Sequence, residues 1–137
     1  MLKKCLIVVL TVVMCFSVFV VTATAAGITT CDISSASKTS SLTLSGTTAT
    51  CTSFYNDCQT ASKIVIVQSL EKKSFLWSWN TVGGEWTKTV TNSANVAFSN
   101  KKTSLSSGTY RVKSVFTVTL SDGASETVTR YSSEVKI

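Results

Sequence analysis

From Tyr110 to Leu120 the chain reads YRVKSVFTVTL. Tyr110, Val112, Phe116, Val118 and Leu120 fall on one parity, and Arg111, Lys113, Thr117 and Thr119 on the other. Successive Cβ atoms of a strand point to opposite faces, so this pattern demands an extended segment with one buried face and one wet face. Similar alternation in Thr, Val, Ser and aromatic residues dominates the chain beyond its N-terminal stretch, broken about every ten residues by Gly, Asn, Asp and Ser clusters. No proline occurs, and no i, i+3, i+4 apolar spacing persists beyond that stretch. The expected class is therefore all-β: a sandwich or barrel of short antiparallel strands, with two sheets enclosing a core about 10 Å thick.

The first residues follow different rules. In MLKKCLIVVLTVVMCFSVFVVTATAAG, Lys3 and Lys4 precede an apolar run from Cys5 to Val21, and Ala23-Thr24-Ala25 supplies small residues in an A-x-A arrangement. Those three parts make a secretory signal peptide over residues 1–25, cleaved after Ala25 or Ala26, with an uncleaved anchor as the alternative. Cleavage leaves 112 residues (137 − 25), enough for one domain with one core. The expected organisation is a partly flexible N-terminal segment over 26–40, then a single β domain over 41–137. An exported chain of this kind is secreted, extracellular or loosely associated with the cell envelope.

Without Lys3 and Lys4, eleven Lys and Arg face seven Asp and Glu, a balance of +4 that suits anionic wall polymers or membrane surfaces. The basic residues are scattered, and only Lys72-Lys73 and Lys101-Lys102 are adjacent. That is too sparse for a nucleic-acid groove. The sequence has no histidine, which removes the serine–histidine and cysteine–histidine nucleophile systems and most zinc sites. The carboxylates show no calcium-loop spacing, and Glu71, Glu126 and Glu134 have basic neighbours that read as solvated strand faces. Neither a metal, a cofactor nor an enzymatic activity is expected.

Seven strands are the safer count, and eight if every segment is real. Leu42 and Leu44 mark the first, ending at Ser45-Gly46, and Ala49 to Tyr55 the second, ending at Asn56-Asp57. Lys63 to Lys72 reads as a central strand, apolar on both faces. Trp77 to Val82 is closed by Gly83-Gly84, a pair suited to a hairpin turn, before Glu85 to Val90. The pieces flanking the two glycines form either two strands or one irregular edge. A strand within Asn95 to Leu105, the Tyr110 to Leu120 strand, a turn at Ser121-Asp122-Gly123 and a strand from Glu126 onward complete the set.

The run Ser107-Gly108-Thr109-Tyr110-Arg111-Val112 resembles the tyrosine corner of immunoglobulin-like and fibronectin-like domains, where the tyrosine hydroxyl bonds back to the main chain. Val112 stands where antibody domains carry their second cysteine, so their inter-sheet disulfide is absent. More closely, SLTLSGTTATCT, KIVIVQSLEKK, SWNTVGGEWTKTV, SSGTYRVKSVFTV and ETVTRYSSEVKI resemble small secreted immunoglobulin-like β-sandwich proteins of Gram-positive, clostridia-like bacteria. The resemblance covers most of residues 41–137. It implies an exported antiparallel sandwich of about seven strands with no assigned activity, and structural roles for Tyr110, Trp79 and Trp86. In such a topology Cys31 and Cys58 become neighbours and the expected bridge, with Cys51–Cys58 as the rival; Cys51 otherwise reads as a small buried residue.

Four large aromatics, Phe75, Trp77, Trp79 and Trp86, fall within the fifteen residues from Ser74 to Lys88. Trp79 and Trp86 are expected in the core. Phe75, Leu76 and Trp77 stand where the resembling proteins have a small, polar turn. Consecutive apolar residues in a turn cannot all point inward, so at least one is expected to be exposed. Flanked by Lys72, Lys73 and Lys88, they form the candidate binding hairpin. The expected function is non-catalytic binding of a cell-wall polymer, a membrane surface or a protein partner. The alternatives are a bacteriocin-like membrane-active effector and a carbohydrate-binding module stacking sugars on a Phe75/Trp77/Trp79 stripe. The expected state is a monomer or a weakly self-associating chain.

Overall fold

The computed structural model describes Ile33 and residues 36–137. The signal peptide, its cleavage site and Cys31 lie outside the described residues. Among the described residues six strands, all antiparallel, make up the sheet: β1 (Ser37–Ser45), β2 (Thr48–Lys73), β3 (Trp79–Lys102), β4 (Thr109–Thr119), β5 (Ser125–Tyr131) and β6 (Val135–Lys136). β1 already begins at Ser37, so residues 37–40, expected in the N-terminal segment, belong to the sheet.

The 26 residues of β2 would span roughly 85 Å if straight, several times the radius of a domain of this size, so β2 has to bend. It does so between Asn56 and Ala61, where its register with β3 slips. Before the bend, β2 pairs with β1 and with the Asn95–Lys102 half of β3; beyond it, with β4 and with the Trp79–Ser93 half. The expected turn at Asn56-Asp57 is this bend. Asp57 Oδ1 accepts the backbone N–H of Cys58 at 2.7 Å, and Tyr55 Oη donates to Asp57 Oδ2 at 2.9 Å, so the acidic side chain shapes the irregular backbone without ending the strand.

Gly83-Gly84 also departs from expectation. Both have positive φ, 80° and 91°, yet they close no hairpin. They sit in β3 opposite Leu70, where pairing jumps from Ser69↔Glu85 to Glu71↔Thr81. Glycine here supplies the φ of a bulge. The segments either side of it are therefore one irregular strand, and the hairpin turn lies at Ser74–Ser78 instead.

The bent strands bring two halves of the sheet over one another, and the core shows it. Tyr55 and Val96 from before the bend cluster with Ile64, Ile66, Phe116 and Val118 from beyond it. Ala49 and Cys51 likewise cluster with Leu70, Tyr110 and Val112. β4 alternates between half-buried and buried along its whole length, as YRVKSVFTVTL requires.

Between the two apolar clusters runs a buried polar chain. Gln68 Nε2 donates to Ser53 Oγ at 2.6 Å, Gln68 Oε1 accepts from Asn100 Nδ2 at 2.9 Å, Ser53 Oγ meets Ser114 Oγ at 2.7 Å, and Ser114 Oγ meets Ser40 Oγ at 2.9 Å. Gln68, Ser53 and Ser114 are fully buried. At the far end Lys38, also buried, donates to Glu126 at 2.8 Å and to the Ile33 carbonyl at 2.7 Å. All of these groups lie between Ile33 and Ile137, so residues 26–137 retain the complete described core.

A candidate binding hairpin and its cation–aromatic ladder

β2 and β3 end on the pair Lys73↔Trp79, and five residues connect them. Ser74 and Ser78 close the loop: Ser74 N–H donates to Ser78 O at 2.7 Å, their hydroxyls meet at 2.6 Å, and Ser74 Oγ and O accept the N–H groups of Leu76 (3.2 Å) and Trp77 (3.1 Å). With its polar groups turned inward, the loop presents its side chains outward. Phe75 is 96% exposed, Leu76 80% and Trp77 77%. Trp77 adopts φ +64°, a left-handed conformation that costs a bulky side chain about 1–2 kcal/mol. A regular strand from Ser74 would have aligned Phe75, Trp77 and Trp79; the turn prevents that stripe.

On the outer face beside the hairpin, cations and rings alternate. Lys73 Nζ lies 4.8 Å from the Trp77 ring centre and 5.4 Å from that of Trp79; the Arg111 guanidinium lies 4.1 Å from both Trp79 and Tyr131. Two carboxylates anchor the cations: Glu71 accepts from Arg111 Nε at 2.7 Å, and Glu134 from Lys73 Nζ at 3.3 Å. Cation–π contacts of this kind contribute about 0.5–1 kcal/mol each at exposed sites. Lys73, Ser74, Phe75, Trp77 and Thr109 line an open groove of about 420 Å³ against the hairpin.

The structure redistributes several expected site residues. Lys73 belongs to the hairpin. Lys72 turns the other way, donating to Ser106 Oγ at 2.7 Å and lying 5.5 Å from the Tyr110 ring. Lys88 leaves the site: it stands opposite Ile66, nine positions along β3 from Trp79, and donates to the Ala97 carbonyl at 2.9 Å. Its parity with Trp86 and Val90 places it on the core-facing side. Trp86 packs, half-buried, against the Ala49–Tyr110 cluster. Trp79, expected in the core, lies instead on the outer face, because its partner Lys73 has the outward parity of Glu71. Tyr110 is buried and donates to the Ser106 carbonyl at 2.6 Å.

Arg111, Glu71, Tyr131 and Glu134 were not singled out as site residues by sequence. Glu71, which reads there as a solvated position, is only 7% exposed and paired. Outward parity was legible for Arg111, but the strand pairing that sets Glu71 beside it was not.

Cys51 is a free, buried thiol, so the rival Cys51–Cys58 bridge does not form. Cys58 is disulfide-bonded, with its partner outside the described residues. Burial pushes the Cys51 thiol up to about 11, which keeps it protonated and unreactive near neutrality. Alkylation of the folded protein at about pH 8 is expected to spare Cys51, and non-reducing peptide mapping to recover Cys31 joined to Cys58. Rapid labelling of Cys51, or a peptide holding Cys58 with any other cysteine, contradicts this.

No protein-family model and no curated protein matches the chain. Among solved structures, the crystal structure of wild-type OgpA from Akkermansia muciniphila is similar over 74% of this chain and 29% of that one, with 11% identity and a TM-score of 0.38. The chain thus spans less than a third of that protein's length, and a likeness of this size assigns it neither a fold family nor an activity.

Proposed function

We propose that this chain is an exported, immunoglobulin-like β-sandwich that acts by binding and not by catalysis, with the Ser74–Ser78 hairpin as its contact site at the cell envelope or on an extracellular partner. The observation that carries the reading is the exposure of three consecutive large apolar residues, Phe75, Leu76 and Trp77, on a turn that Ser74 and Ser78 close by hydrogen bonds. Solvent exposure of such a cluster is unfavourable, and in soluble domains it marks surfaces that become covered by a partner. The positive φ of Trp77 adds to this, since backbone strain of that kind persists where a side chain must be held in place. The lack of histidine throughout the sequence leaves no serine–histidine or cysteine–histidine nucleophile system. Co-sedimentation of residues 26–137 with isolated cell envelopes tests the proposal: the parent is expected in the pellet and the Phe75→Ala/Trp77→Ala variant in the supernatant. Equal pelleting of both contradicts it.

A further inference from the structure

The charges of the described residues are not evenly spread over the fold. At the hairpin end, Lys72, Lys73, Lys101, Lys102, Arg111 and Lys136 face only two carboxylates, Glu71 and Glu134. Lys101 and Lys102 belong to this end because they pair with Thr50 and Ala49, and Ala49 packs with Leu70 and Tyr110; Lys136 pairs with Thr109, which lines the groove. Glu85 and Lys113 offset each other in the middle, opposite Ser69 on its two sides. The far half carries four cations, Lys38, Lys63, Lys88 and Arg130, against Asp57, Asp122 and Glu126. Nearly all the net positive charge therefore lies in the half of the fold that carries the apolar tip, with Lys101 and Lys102 set back at the level of Leu70.

An apolar apex inside a cationic collar is complementary to one kind of surface in particular, an apolar layer beneath a sheet of negative charge. Resting on the contact reading above, we infer that the hairpin's ligand is an anionic lipid bilayer. Phe75, Leu76 and Trp77 enter the boundary between headgroups and acyl chains, and the surrounding lysines lie at the level of the lipid phosphates. The backbone N–H groups of Ser74, Leu76 and Trp77 already have partners in Ser74 or Ser78, which lowers the cost of shallow insertion into lipid. Lys73 sits between the two regions, with its ammonium over the Trp77 and Trp79 rings and beside Glu134. A soluble sugar chain satisfies the groove but gives the fully exposed Phe75 and Leu76 no apolar layer to enter.

The test floats residues 26–137 with vesicles of phosphatidylcholine alone and of phosphatidylcholine mixed equally with phosphatidylglycerol, in parallel with sedimentation on purified cell wall. The expected result is flotation with the anionic vesicles only, weakened when salt rises from about 0.1 to about 0.5 M. Phe75→Ser/Leu76→Ser is expected to lower that affinity about tenfold or more. Trp77→Gly relieves the positive φ, so it is expected to melt no lower than the parent while binding vesicles less. Binding to both vesicle types alike, or anionic binding unchanged in the serine variant, overturns the lipid inference. Failure to float combined with wall binding lost in that variant also overturns it and leaves the contact reading standing. A protein that binds neither vesicles nor wall overturns the lipid inference and confines the contact reading to an extracellular partner.

Discussion

Arg111→Ala is expected to lower the unfolding free energy by about 2–4 kcal/mol, a large share of what a domain of this size has to lose. The Arg111 side chain is 21% exposed and that of Glu71 only 9%, with Nε and Oε2 2.7 Å apart. Removing the guanidinium strands a mostly buried carboxylate, and the partial exposure of Arg111 keeps the cost below that of a fully buried pair. The same change removes the plane filling the space between Trp79 and Tyr131, 4.1 Å from each. Arg111→Lys keeps the charge but neither the fork nor the flat face, so it restores only part of the loss. In Glu71→Gln/Arg111→Ala no charge is left stranded, and the double variant is expected to be more stable than Arg111→Ala alone. Urea denaturation of the four proteins measures this; an Arg111→Ala midpoint equal to the parent's contradicts the assigned role.

Gln68→Ala is expected to cost a similar amount, about 3 kcal/mol, for another reason. The Gln68 amide bonds to Ser53, which comes from the opposite half of the bent β2, and to Asn100 from β3. Truncation opens a cavity and leaves buried hydroxyl and amide groups unpaired, each at about 1–3 kcal/mol less whatever water recovers. Making Ser53→Ala, Gln68→Leu and Ser114→Ala together removes donors and acceptors as a set. That triple variant is expected to lose much less than the sum of its single changes. Additive losses in denaturant titrations contradict a connected network.

The parts of the fold written by side-chain parity were readable from sequence, and those written by pairing were not. β4 declares its buried face through Tyr110, Val112, Phe116 and Val118, and the turns at Ser45-Gly46 and Ser121-Asp122-Gly123 fall where their residues suggest. Asn56-Asp57 and Gly83-Gly84 carry the same turn chemistry yet lie within strands, because a bend and a bulge need the same permissive residues as a hairpin. Ser53 and Ser114 share the inward parity of Tyr55 and Phe116, but the hydrogen bonds that join them to Gln68 had no visible basis until β2 folded back on itself. Lys88 was misplaced although parity with Trp86 and Val90 already pointed it inward. The hairpin tip was legible for a simple steric reason: three consecutive large apolar residues in a turn leave no geometry that buries them all.

The account depends on Phe75, Leu76 and Trp77 being free surface and not packing, and the melting temperature of Phe75→Ala/Trp77→Ala tests that most directly. Exposed side chains that support nothing change stability by at most about 0.5 kcal/mol, so the midpoint is expected within about 4 °C of the parent's. A fall of roughly 10 °C or more, the size expected on losing buried aromatic packing, contradicts the account and returns both residues to the core.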